Sequence, residues 1–220
     1  MPMQTVRTNP IEGQKPGTSG LRKKTAVFKR PHYLENYVQS TFDGIGGVQG
    51  KVLVVGGDGR YFNDDAIQVI LRMAAANDAA KCIVGQGGIL STPAVSNLIR
   101  QRKADGGLIL SASHNPGGPD ADFGLKYNGP NGGPATETVT DKIFARTKVI
   151  DIYNITASTG VDIDTLGTRS HEGMDVEIVD PVVDYAALME TLFDFDIIRA
   201  LFAGGFTMQF DACLLYTSPS

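Results

Sequence analysis

The chain has 220 residues, 42% apolar, 20% charged and 8% aromatic, which suits one full domain plus a remainder and rules out a disordered tail. Twenty basic against twenty-four acidic residues leave a net charge of -4, which argues against a nucleic-acid partner held by bulk positive field. Two cysteines, Cys82 and Cys213, cannot build a disulfide framework or a four-ligand zinc site; unpaired thiols point to a reducing, cytoplasmic compartment. Residues 1–15 carry no apolar run of signal-peptide length, and no stretch approaches the roughly 18 apolar residues of a membrane span, so neither secretion nor a membrane partner is expected.

In chain order, a glycine-rich loop over residues 13–20 leads into a basic stretch over 22–30. Tyr33, Leu34, Tyr37, Val38 and Phe42 fall at helical spacing, predicting an amphipathic helix over 32–42 that ends at Gly44. Residues 51–56, Lys-Val-Leu-Val-Val-Gly, read as a strand buried on both faces. Asn63 and Asp64 offer cap oxygens to a helix through Ala76 whose apolar face carries Ile67, Ile70, Leu71 and Ala74. A second apolar run follows at 81–85. Thr92 and Pro93 then open a helix bearing Val95, Leu98 and Ile99, and Gly107-Leu-Ile-Leu110 is a third buried strand. The order β-α-β-α-β predicts an α/β fold, a mostly parallel mixed sheet with helices on both faces and ligands at the carboxyl ends of its strands. Residues 138–150 and 185–202 read as helical, the latter broken near 194–196, while 151–180 is polar and poorly periodic.

The stretch richest in chemistry is Gly107-Leu-Ile-Leu-Ser-Ala-Ser-His-Asn-Pro-Gly-Gly118, where a buried strand runs straight into hydroxyls and a turn. Ser111 and Ser113 can satisfy turn backbone groups, or Ser113 can carry a phosphate or acyl group. His114 is poorly placed as its base in an extended chain, because neighbouring side chains point to opposite faces unless the backbone turns. No Gly-x-Ser-x-Gly elbow surrounds Ser113, which weakens an esterase reading. Lys126 and Asn128, two residues apart, share a face of a short extended segment. Lys126 is either a solvated surface charge or a neutraliser of phosphate oxygens facing the serine loop. The loop Gly17-Thr-Ser-Gly-Leu-Arg-Lys-Lys24 has an anion-cradling composition, equally consistent with a solvated basic patch, and completes neither a Walker motif nor a dinucleotide fingerprint. The acidic pairs Asp120/Asp122, Asp162/Asp164 and Asp194/Asp196 read as solvated turns.

Taken together, Gly17-Thr-Ser-Gly-Leu-Arg22, Ser111-Ala-Ser-His-Asn-Pro-Gly-Gly118, Phe123-Gly-Leu-Lys-Tyr-Asn128 and Asn131-Gly-Gly-Pro-Ala135, in this order, resemble the N-terminal domain of the α-D-phosphohexomutases, in the phosphoglucomutase branch that includes parafusin. The resemblance covers about residues 5–212. Residues 33–38, 54–60 and 88–93 agree as well. It implies a phosphohexomutase domain I over 1–190 and the truncated opening of a similar second domain over 191–212. Residues 213–220 depart abruptly from the family pattern and read as a non-native tail. It also implies that Ser113 carries the phosphate that interconverts glucose 1-phosphate and glucose 6-phosphate through glucose 1,6-bisphosphate.

His114 and Lys126 match assisting active-site positions. Thr18, Ser19 and Arg22 match the loop beside the phosphate, and Asn115 lies in the serine motif and is assigned with Lys126 to substrate binding. Family members use Mg²⁺, held by the serine phosphate, here on Ser113, and by three aspartates of a second-domain loop absent from this chain; Asp58-Gly-Arg60 only partly resembles that loop. The expected partners are small sugar phosphates, the expected state is a monomer, and the chain alone is expected to be inactive. A phosphomannomutase, a phosphoglucosamine mutase and a non-catalytic parafusin-like phosphoprotein in secretion or signalling stay open as alternatives.

Overall fold

The computed structural model describes residues 3–17 and 19–209. Strands β1 (Met3–Arg7) and β2 (Leu21–Lys24) precede the short helix α1 (Thr25–Phe28) and α2 (Tyr33–Gly44). The central alternation follows as β3 (Val52–Gly57), α3 (Asn63–Ala76), β4 (Lys81–Ile89), α4 (Thr92–Gln101), β5 (Gly106–Leu110) and β6 (Asp122–Asn128). Then come α5 (Glu137–Thr147), β7 (Ile152–Thr156), β8 (Gly167–His171), β9 (Met174–Val179), α6 (Val183–Leu192) and α7 (Phe195–Ala203).

Seven strands form one sheet in the order β2-β6-β5-β3-β4-β9-β8. β3 pairs in parallel with β4 and β5, and β4 with β9, while β6 and β8 run the other way. This is the mixed, mostly parallel sheet expected from the alternation. Period-two side-chain geometry splits its core into two layers. Leu53, Val55, Cys82, Val84, Leu108 and Leu110 face α1, α2 and α3, whereas Val54, Ile83 and Ile109 face α4. Every apolar position assigned to the three amphipathic helices is buried. Burial pushes the Cys82 thiol up to about 12, so it packs as a small hydrophobe. Cys213 lies outside the described residues.

The helix starts differ from expectation. α4 is capped by Ser91, whose Oγ accepts the Ala94 N–H, one residue before Thr92, because Thr92 and Pro93 are already helical. α3 starts after Phe62 in the left-handed region with no side-chain cap, so Asn63 and Asp64 do not act as cap oxygens. Residues 151–180 hold three strands; β1 pairs with β7 in a separate two-stranded ribbon, and β8–β9 form the sheet's far edge. Residues of α6 and α7 contribute nothing buried, and Leu192, Phe193, Ile197 and Leu201 stand exposed. No helix among the described residues is long and apolar enough to cross a membrane.

His171 ends β8, its Nε2 3.2 Å from Ser158 Oγ. That hydroxyl lies 2.7 Å from Thr156 Oγ1. Burial, helped by Arg72 and opposed by Glu172, pushes His171 below the ordinary imidazole range. The unfolded chain therefore takes up this proton first as pH falls. Stability should decline from about pH 6.5 downward, toward the lowered folded value. Urea unfolding at about pH 7.5 and 5.5 should show this loss, and His171→Gln should flatten it; an unchanged slope in the variant would remove His171 as the cause.

Candidate active site

β3 runs through α3 to β4 on one side, and β4 returns through α4 to β5 on the other side of β3. The carboxyl ends of β3 and β5 therefore form a topological switch point, where open α/β sheets place ligands. Gly57 is in register with Leu110, so the next residues, Asp58 and Ser111, emerge side by side. Ser111 Oγ donates to Asp58 Oδ2 at 2.8 Å and accepts the Ser113 N–H at 3.0 Å.

Ser113 is exposed and sits at φ +57°, in the left-handed region that non-glycine residues seldom adopt. This turn is what the sequence required before His114 could serve Ser113. It swings the neighbouring side chain round, so that Ser113 Oγ and His114 Nδ1 are 3.3 Å apart. Of the two serines, Ser111 satisfies turn backbone and, among the described residues, Ser113 Oγ does not. Asn115 Nδ2 donates to Asp122 Oδ2 at 2.9 Å, fastening the far side of the serine loop to β6.

The cations come from the antiparallel pairing of β2 with β6, which sets Arg22 opposite Gly124. Lys126, two residues on, shares Gly124's face. A Cβ on Gly124 would lie 2.2 Å from the Ser111 carbonyl oxygen and 3.3 Å from Arg22 Cγ, so glycine lets the strand, the serine loop and the arginine meet. Arg22 Nε is buried without a hydrogen-bond partner among the described residues. Lys126 Nζ donates to Thr92 Oγ1 at 3.2 Å. Asn128 reaches the same helix, its Nδ2 donating to Ser96 Oγ at 3.2 Å, as the shared face predicted.

Burial, reinforced by Arg22 and opposed by Asp58, holds the Lys126 ammonium below the usual lysine range. Such an amine favours either an anion that compensates its charge or loss of its proton. In contrast, Lys24 is spent on Asp122 at 2.9 Å. The Gly17–Gly20 turn, closed by backbone bonds of 2.9 and 3.0 Å, lies against Lys126. At φ +83°, Gly20 would put a Cβ 2.4 Å from Lys126 Cβ. Ser19 is exposed at the tip, and Thr18 lies outside the described residues.

The residues that sequence reasoning set aside are Asp58 and Arg60. Arg60 is 8% exposed and forks onto Asp58, with Nε and Nη2 at 2.9 and 2.8 Å from its carboxylate. Their position after the first buried strand, beside the switch point, was the available signal. With Asp58 committed to Arg60 and Ser111, it is no cation ligand. No cluster of three or more His, Cys, Asp or Glu among the described residues could hold a metal ion. Asp162 and Asp194 accept backbone N–H groups of their own turns, as expected of such acidic pairs.

A family model for the alpha/beta/alpha domain I of phosphoglucomutase/phosphomannomutase matches residues 13–154. A phosphoglucomutase from Rhizobium radiobacter is 56% identical over 217 residues, covering 99% of this chain and 40% of that protein. A cytoplasmic phosphoglucomutase from Bromus inermis is 54% identical over 218 residues, covering 93% of this chain and 38% of its own length. The crystal structure of the Paramecium exocytosis-sensitive phosphoprotein pp63/parafusin, in its open form, superposes with a TM-score of 0.87 at 44% identity, over 92% of this chain and 39% of that one. This chain thus spans about 40% of the length of the curated relatives it matches. An outward serine at a sheet switch point, near two cations that have no carboxylate partner among the described residues, occurs here within the residues matched by that domain model, and the chain belongs to the phosphoglucomutase/phosphomannomutase family.

Proposed function

We propose that this chain is the phosphoserine-bearing part of a phosphoglucomutase, with residues 1–190 as its first domain and 191–212 opening a second. The observation that carries this reading is the Ser113 hydroxyl, held outward with His114 as its hydrogen-bond neighbour. In the proposed reaction, phosphorylated Ser113 gives its PO₃ unit to a free hydroxyl of a glucose monophosphate. The Oγ–P bond breaks, a sugar O–P bond forms, and the sugar hydroxyl proton passes to a nearby base. Reversing the step at the other end of glucose 1,6-bisphosphate restores phosphoserine and yields the isomer.

Phosphoryl transfer calls for positioning and charge stabilisation more than covalent chemistry by the protein. Arg22, Lys126 and the Thr18–Ser19 loop would bind the phosphate oxygens, and Asn115 would hold the serine loop in shape. His114 and Lys126 would move the proton; an amine already below its ordinary range gives up and regains one readily. Phosphoserine carries a charge of about -1.5 to -2 and the substrate brings a second phosphate group, together more than these two cations offset, which fits the magnesium use of the family and an inactive isolated chain.

Small sugar phosphates as partners, a monomeric state and a cytoplasmic setting belong to the same proposal. The test is to incubate the whole protein with glucose 1,6-bisphosphate, locate phosphate by peptide mass spectrometry, and assay the same protein for glucose 1-phosphate turnover. Phosphate on Ser113 that glucose phosphate can remove supports the reading; a whole protein that favours mannose or glucosamine phosphate overturns its sugar assignment. The likeness to the Paramecium phosphoprotein favours one second reading, a regulatory phosphoprotein, for which stable phosphate away from Ser113 would speak.

A further inference from the structure

We propose that Asp58, Arg60 and Ser111 form a clamp that fixes both backbone polar groups of Ser113, and that these three are positioning residues for phosphoryl transfer. The inference rests on Ser113 being the phosphate-carrying hydroxyl.

The Ser113 N–H is held by Ser111 Oγ at 3.0 Å, and its C=O accepts from Arg60 Nη2 at 3.0 Å. Ser111 can accept because its own proton is directed to Asp58 Oδ2 at 2.8 Å. Asp58, in turn, is locked by the Arg60 fork through Nε and Nη2. The remaining guanidinium nitrogen, Nη1, donates to the Asp122 carbonyl at 2.7 Å and so ties the clamp to the start of β6. One planar side chain thus links the exits of β3 and β5 and the entry of β6, a job requiring the spread donors of arginine rather than the point charge of lysine.

A left-handed serine is strained and persists where surrounding contacts over-determine it. Serines in turns usually spend their hydroxyl on nearby backbone. Here Ser111 and Arg60 satisfy the peptide groups, and the Ser113 hydroxyl is left for chemistry. The Asp58 carboxylate and Arg60 charges cancel locally, so the clamp orients the serine while Arg22 and Lys126 remain the groups that meet phosphate.

Ser111→Ala tests this with little threat to folding, and Ser111→Thr retains the hydroxyl as a rescue. In this chain, NMR should show faster amide exchange at Ser113 in Ser111→Ala, by about 10-fold, and backbone ¹³C shifts that leave the left-handed range. Ser111→Thr should restore both. In the whole protein, Ser111→Ala should lower turnover by about 10²-fold, as expected when a reacting atom is displaced by roughly an ångström. Unchanged Ser113 exchange and shifts in Ser111→Ala would overturn the clamp, as would a Ser111→Thr variant that behaves like Ser111→Ala. Absence of turnover in the unsubstituted whole protein would overturn the mutase reading instead, because the exchange comparison reads the clamp separately.

Discussion

Replacing Ser113 by alanine should lower the interconversion of glucose 1-phosphate and glucose 6-phosphate by the whole protein about 10⁴-fold or more, the scale seen when a covalent carrier is deleted. The same substitution should leave the whole protein unable to take phosphate at residue 113 from glucose 1,6-bisphosphate. Stability should hardly respond. The side chain is exposed, and its hydrogen-bond neighbour is His114 Nδ1 at 3.3 Å. The left-handed backbone tolerates alanine about as poorly as serine, which limits the melting shift to about 3 °C for a chain of this size. A coupled dehydrogenase assay and a thermal melt on matched preparations separate the two effects. Retained turnover in the alanine variant would sink the assignment of Ser113 as carrier, whatever the melt showed.

The largest expected loss of stability is at Phe123. Its ring is fully buried on β6, in edge-to-face contact with Phe28 at 4.9 Å and Phe62 at 5.3 Å between centroids. Phe28 makes a further edge contact with Tyr33, so Phe123 joins α1, the approach to α3 and the start of α2 to the sheet. Phe123→Ala should cost about 3–5 kcal/mol, from lost apolar burial plus the cavity left among rings that cannot all move inward. Guanidinium unfolding of the chain gives the value directly, and a loss below about 1.5 kcal/mol would mean that this aromatic cluster repacks freely. Lys126 is three residues along the same strand, so a loosened β6 should also blur the placement of the cation facing the serine loop.

Much of the frame is legible in the residues. The apolar spacing of α2, α3 and α4 named side chains that are all buried, and the β-branched run after Lys51 is a central strand buried on both sides. Residues 151–180 were harder to read because β8 is a mostly exposed edge strand with almost no apolar face. Even so, Met174, Val176 and Ile178 alternate with Asp175 and Glu177, a period-two signal for β9 that the surrounding polar sequence obscured. The tail proposed for 213–220 lies outside the described residues. At the site, the serine after a buried strand, the lysine on β6 and the arginine on β2 were all visible as candidates. Arg60 was not, because nothing in a short Asp-Gly-Arg turn says which loop its guanidinium will reach.

By itself, the sequence determined which helix faces are apolar, the central β-α-β-α-β order over 51–110, and that a hydroxyl follows the third buried strand, since each depends on spacing within a few residues. Tertiary structure alone decided that Asp58 meets Ser111 across 53 positions, that Arg22 and Lys126 share one face, and that Ser113 turns left-handed. Those outcomes depend on strand order and register. Both are set by how the whole chain buries its apolar faces, so no local pattern of residues encodes them.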